Sequence, residues 1–298
     1  MTRRAQHGAA VVMAMLVVAV TATLVAGVFW RQNVVARQAE NELSYAQAKW
    51  LIRGAIDWAG IILREDARTS SVDHFGEPWA VPLADTHLNQ DDGRDPVYLA
   101  GEIRDEQAKF NLRNLAGPAG VNAREVAVLR RLLALVGARE GLADPVAERV
   151  RTAVPGEGGR KQTTLGLASI DDLLGLDDLS AGVVERLRPF VTVLPQATPV
   201  NANTASAEVL AARFENLALA DARRLVASRD RAFFKDRTDV LSRITELKLQ
   251  ASDAEIAVAT RFFGVIGTVN YRRARLQAHA LLRRDSGRVE ALWLREAV

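Results

Sequence analysis

From Ala9 to Trp30 the chain runs for 22 residues, AAVVMAMLVVAVTATLVAGVFW, without a charged side chain. As a helix rising 1.5 Å per residue this is roughly 33 Å, enough to cross the hydrocarbon of a bilayer. Arg3, Arg4 and His7 precede it and Arg31 follows. The short basic leader favours a cytoplasmic N-terminus. A cleaved secretory signal would have a shorter apolar run, about 7–15 residues, ending in a structural break. No helix breaker follows here: Asn33 to Asp66 contains no Pro, and its glycines are Gly54 and Gly60. Leu51, Ala55, Trp58 and Ile62 are spaced 4, 3 and 4 apart, and Leu43, Ala46 and Trp50 form a similar stripe one turn earlier. The pattern predicts one helix over about residues 9–66, roughly 85 Å long, that leaves the membrane and lays one face on a domain. Trp50, Trp58 and Trp79 are expected in the core.

The rest of the chain can build a core of its own, since 49% of all residues are apolar and 25% charged. The absence of Cys excludes disulfides, thiolate metal sites and cysteine nucleophiles. Residues 67–98 read as a loop-rich connection. Asn89, Asp91 and Asp95 alternate as oxygen donors, but the calcium-loop spacing is missing, and a solvated turn at Asp92-Gly93 is the better reading. A strand is expected at Val97–Asp105, and Lys109–Leu115 reads as a short strand entering a turn.

From Pro118 to about Thr260 the pattern is helical. Val126, Leu129, Leu132, Leu133 and Val136 mark a helix ended by Gly137. Ser169-Ile170-Asp171-Asp172 and Ser252-Asp253-Ala254-Glu255 read as capping boxes, which accounts for their acids. The period then changes: Phe263 to Val269 alternate loosely, and Leu276, Ala278, Ala280 and Leu282 alternate more strictly. A turn at Asp285-Ser286-Gly287 leads into Val289, Ala291 and Trp293, an antiparallel hairpin after one further strand. Strands at both ends and helices between them predict a helical insertion within an α+β domain.

Within the helical stretch, Val200 to Ala205 with Glu208-Val209-Leu210 resembles a helix-hairpin-helix opening, with Asn203 or Thr204 as the helix cap. DNA-binding versions hold a phosphate on a Gly-hydrophobe-Gly turn. The corresponding turn here, Glu215 to Ala220, has no Gly, and Arg223, Arg224, Arg229, Arg231 and Arg237 are interleaved with Asp221, Asp230, Asp236 and Asp239. A membrane-anchored DNA-uptake protein is therefore the alternative reading, and a solvated helical face is favoured over nucleic-acid contact. Enzyme motifs are missing, and the four His (His7, His74, His87, His279) lack metal spacing.

Gly8 before an uncharged helix resembles the leader of type IV pilins and type II secretion pseudopilins. That resemblance implies cleavage by a prepilin peptidase between Gly8 and Ala9 and methylation of the new terminus at Ala9. Most members carry Glu at the fifth mature position, where this chain has Met13. An intramembrane carboxylate is costly unless paired, and a subunit lacking it need not dock on a preceding one. Lack of this Glu characterises minor subunit K. Ile103-Arg104-Asp105, Lys109 to Leu115, Leu187 to Pro195, Val200 to Ala205, Ala280 to Arg284 and Leu292 to Glu296 are also similar to the K pseudopilins, in the family's order.

The resemblance implies a leader (1–8), a transmembrane helix (9–30), its periplasmic continuation (31–66), a pilin-like α/β domain (67–117 and 261–298) and a helical insert (118–260). The fold implied is a long N-terminal helix packed on an antiparallel sheet. The function implied is a tip-capping, assembly-initiating minor pseudopilin of the inner membrane, single-pass with a periplasmic C-terminal domain. Its partners would be minor pseudopilins I and J, the pseudopilus, the prepilin peptidase and membrane lipid, without nucleic acid. No cofactor or catalytic residue follows. Calcium has been associated with the group, but Asp144 to Lys161 has only Asp144, Glu148 and Glu157 as acids and no Trp, so no ligands are assigned. Removing the leader lowers Lys+Arg from 39 to 37 against 36 acids, which reduces the basic surplus that hinted at a nucleic-acid partner.

Overall fold

Helix α1 runs unbroken from Gln6 to Thr69, 64 residues and roughly 96 Å. The computed structural model describes residues 6–88, 95–154, 164–177, 179–245 and 256–297. Residues 9–43 of α1 are exposed throughout. From Ser44 onward one face is buried, carried by Ala48, Ile52, Ile56, Ala59, Leu63 and Asp66, a run with 3- and 4-residue steps as one helix face requires.

That face lies on a five-stranded antiparallel sheet in the order β1 (Leu83–His87), β2 (Val97–Asp105), β9 (Phe262–Tyr271), β10 (Ala274–Asp285), β11 (Arg288–Ala297). Ala48 and Ile52 pack on Val97, Leu99, Val269, Leu276 and Ala278. Ile56, Ala59 and Leu63 pack on Trp79, Phe263, Val265, Ala280 and Leu282. Close approach of α1 depends on Gly267, where a Cβ would come within 2.8 Å of Ile52 Cδ1. The hairpin β10–β11 closes with Asp285 paired to Arg288 around Ser286 (φ 46°) and Gly287 (φ 81°). Two positive φ values match the right-handed twist of the paired strands. Strand β2 and the final hairpin lie where the sequence places them. Strand β1 falls in the stretch read as loop, because five mostly exposed residues carry no apolar alternation.

Between the two sheet-forming stretches lie the helices, in two cores. The first gathers α2 (Ala123–Leu135), α3 (Ala143–Thr152) and α4 (Ala181–Leu187) around Leu129, Leu132, Val146 and Leu173. The second gathers α5 (Ala207–Arg213), α6 (Leu219–Arg231) and α7 (Arg237–Thr245) around Leu210, Phe214, Phe234 and Val240. Helix α2 starts at Asn122, whose side chain accepts from the amides of Arg124 and Glu125. It ends at Gly137 (φ 69°), where Ala138 N donates to Leu133 O and Gly137 N to Ala134 O. Those two bonds satisfy carbonyls the helix would otherwise leave open. A short parallel pair, β3 (Phe110–Asn111) with β6 (Val191–Thr192), ties this region to the chain that leaves β2, and a second, β7 (Val200–Asn201) with β8 (Ile256–Ala257), closes the second core.

Some local expectations are corrected. The capping box at Ser169–Asp172 is present, with Asp172 accepting from the amides of Ala168 and Ser169, but the element it opens, Ile170–Gly175, is a 3-10 helix. The cap of α5 is Ser206, whose Oγ accepts from Val209 N. Asn203 and Thr204 are buried instead and serve tertiary contacts: Asn203 exchanges two hydrogen bonds with the backbone of Phe234, and Thr204 donates to Asp105. The capping box at Ser252–Glu255 and the turn at Asp92-Gly93 lie outside the described residues.

Candidate assembly interface

Beyond its charge-free run, α1 is apolar on more than the face it buries. The stripe Leu51, Ala55, Trp58, Ile62 does not point into the core centre. It flanks the buried face, and Ala55, Trp58 and Ile62 form one wall of a crevice of about 320 Å³ whose other walls include Val81, Pro82 and Ile103. The stripe begun by Leu43 and Trp50 lies opposite the sheet and continues through Gly54 to Ile61. Leu43 is 63% exposed, Trp50 72% and Ile61 54%. Trp79 alone of the three tryptophans expected inside is buried; Trp58 is 47% exposed. Sequence periodicity misplaced the buried face because two further apolar stripes share the helix. An apolar helix face is expected to pack against something, yet Leu43, Trp50 and Ile61 stay exposed on the side away from the sheet. Gly54 sits between Trp50 and Trp58 with nothing within 4 Å of where a Cβ would be. The result is a notch flanked by indole rings, the shape into which a side chain of a facing helix inserts.

Further toward the N-terminus, Gly8 and Ala9 lie in the first turns of α1, and Met13 is 69% exposed one turn beyond Ala9. One helix at Ala9–Thr69 is long and apolar enough to cross a membrane. The residues expected to carry processing and docking thus share one continuous element with the apolar stripes.

At the other end of α1 lies a buried charged joint that sequence reading missed. Arg284 on β10 donates to Asp66 Oδ2 at 2.7 Å, to Asp73 Oδ1, and to the carbonyls of Leu63 (3.3 Å) and Thr260 (3.2 Å). Asp73 Oδ2 accepts from Thr260 N at 2.7 Å. Glu77 Oε2 accepts from His74 N and from Trp79 Nε1, while Glu77 Oε1 is buried and, among the described residues, has no hydrogen-bond partner. Asp105, at the end of β2, accepts from Gln107 N, Asn201 Nδ2 and Thr204 Oγ1. Burial pushes the Asp66 carboxyl up to about 6 against the pull of Arg284. Burial likewise pushes Asp105 up to about 6, against hydrogen bonds that favour its charged form. One signal was available: Arg284 is in phase with Leu276, Ala278, Ala280 and Leu282, the inward positions of β10, where an arginine demands buried partners.

Oxygens of Asp66, Asp73 and Glu77 lie within 4.8 Å of one another, but Arg284 already supplies a counter-charge there. Of the acids considered for calcium, Asp95 pairs with Arg272, Asp144 with Arg130 and Glu148 with Arg151, and the others lie outside the described residues. Three arginines of the helix-hairpin-helix-like segment are similarly engaged. Arg223 meets Glu208, Arg224 meets Asp221, and Arg229 is buried, donating to the carbonyls of Ala202 and Ala205.

Two family models match, both described as type II secretion system protein K, over residues 108–196 and 200–259. The type II secretion system protein K of Pseudomonas aeruginosa is 33% identical, over 97% of this chain and 92% of the relative. That of Klebsiella pneumoniae is 29% identical, over 94% and 93%. Among solved structures, a chain of the GspK-GspI-GspJ complex from the enterotoxigenic Escherichia coli type 2 secretion system superposes with a TM-score of 0.69. It is 21% identical and covers 88% of this chain and 99% of its own length; the likeness gives the pilin-like fold. With a relative one-third identical along nearly its whole length, and with the same architecture, this chain belongs to the type II secretion system protein K family.

Proposed function

We propose that this minor pseudopilin caps the tip of a periplasmic pseudopilus and helps initiate its assembly. In this reading a prepilin peptidase cuts the Gly8–Ala9 bond and methylates Ala9, leaving residues 9–30 in the inner membrane lipid and the C-terminal domain in the periplasm. The carrying observation is the unpartnered apolar stripe of α1, Leu43, Trp50, Gly54 and Ile61, continuous with the membrane span. Sister helices of pseudopilins I and J cover it, as the named complex of the structural neighbour supports. Met13 in place of an acid removes the reason to dock on a preceding subunit. The helical region between β5 (Gly120–Val121) and β8 then blocks a further subunit above.

The test is mass spectrometry of the mature chain together with pull-down of pseudopilins I and J. A methylated Ala9 and co-purification are expected, both abolished by Gly8→Leu in the leader. An uncut chain, or a Gly8→Leu variant processed as the wild type is, refutes the reading.

A further inference from the structure

The joint at the end of α1 holds more negative than positive charge. Asp66 comes from α1, Asp73 and Glu77 from the segment before β1, and Asp105 from the end of β2. Among the described residues, Arg284 on β10 is the cation that meets Asp66 and Asp73. His74 Nε2 stands 3.9 Å from Glu77 Oε1. With every carboxyl ionised, Arg284 would face surplus charge in a place shielded from water, where repulsion is screened least. Glu77 Oε1 is buried there and, among the described residues, has no hydrogen-bond partner.

The same residues hold the helical region to the rest of the molecule. Asp73 N donates to Val258 O just after β8, and Asn201 Nδ2 donates to Asp73 O and to Asp105 Oδ2. Arg284 reaches Thr260 O at the entry to β9. Whatever changes the charge on Asp66 therefore acts where α1, the sheet and both ends of the second helical core meet.

We propose that this joint is a proton-operated latch: one proton on Asp66 clamps the helical region against the end of α1, and its loss loosens the clamp. The proton relieves repulsion from Glu77 and Asp73 and supplies a donor beside the carboxylate that lacks one. Arg284 keeps its bond to Asp66 Oδ2 in either state, so the latch slackens rather than falls apart. Its midpoint lies at the raised Asp66 value of about 6. Asp73 and Asp105, each raised by its own burial, are the competing proton holders.

The absence of native Cys allows one spin-label pair on the full chain in detergent micelles, at Gln47→Cys on α1 and Ser228→Cys on α6, both exposed. Between about pH 5 and about pH 8 the ratio of ionised to protonated Asp66 changes roughly a thousandfold. The inter-label distance distribution is expected to be narrow at the acid end and broad at the alkaline end, with its midpoint near 6. Asp66→Asn, which fixes the neutral form, should stay narrow throughout, and Asp105→Asn should behave as the wild type does. A distribution of one width at both ends overturns the proposal, as does broadening that survives Asp66→Asn or disappears in Asp105→Asn. None of these outcomes bears on processing at Gly8 or on co-purification with pseudopilins I and J.

Discussion

Gly54→Leu separates folding from assembly. Gly54 lies in the interior of α1, exposed, with no atom within 4 Å of an added Cβ. Glycine costs a helix interior about 1 kcal/mol relative to Ala, and Leu is close to Ala. The variant should thus gain roughly 0.8 kcal/mol of stability. For a chain of this size that raises Tm by about 1 °C. At the interface the sign reverses. The leucine fills the notch between Trp50 and Trp58, where a facing helix would approach to an interaxial distance of about 8–10 Å. Overpacking of this kind costs about 1–3 kcal/mol, which corresponds to roughly 5- to 150-fold weaker association. The assays are thermal melting of the purified full chain in micelles and quantitative co-purification with pseudopilins I and J. A raised Tm with lost partners is expected. Unchanged co-purification would show that partners do not use this stripe, and a lowered Tm would show that Gly54 is not free.

Arg284→Leu leaves Asp66 and Asp73 buried without their counter-ion and should cost about 3–5 kcal/mol at neutral pH, read by denaturant unfolding, with a smaller loss in acid. Asp66 and Asp105 are both raised to about 6 from 3.8, so the folded state holds protons the unfolded state has released. Stability falls as pH rises from about 4 to about 6 and levels off above, by up to roughly 3 kcal/mol per group. Thermal melts across that range should show the decline, and a chain carrying both Asp66→Asn and Asp105→Asn should lose most of it. Arg213 and Glu125 pair at 2.6 Å with side chains 1% and 6% exposed, linking α5 to α2. Arg213→Met alone should cost about 3–5 kcal/mol. Arg213→Met with Glu125→Leu should recover most of that loss, and a double-mutant cycle in urea measures the difference.

What could be read in the sequence is local or periodic. A charge-free run of 22 residues has one physical solution in a bilayer. Gly137 ends α2 because the chain needs a left-handed residue there, and Ser286-Gly287 turns the last hairpin for the same reason. Strand β2 and the hairpin strands have one face buried, so their alternation sets their register.

Tertiary structure decided which of three apolar stripes on α1 meets the sheet. Periodicity measures how apolar a face is and says nothing of what covers it, so Trp50 and Trp58 were assigned to a core they do not enter. It also decided the use of Asn203 and Thr204, whose side chains suit a helix cap in isolation but here reach partners 31 and 99 residues away. The buried joint is the extreme case: Arg284 meets Asp66 and Asp73 across 218 and 211 residues. An ion pair of that kind exists only once the sheet has formed and excluded water. Residue order alone specifies an apolar helix long enough to cross a membrane and a C-terminal hairpin. The exposed stripe and the charged joint depend on which surfaces the fold leaves uncovered and which charges it brings together, because burial belongs to the folded chain and not to any residue in it.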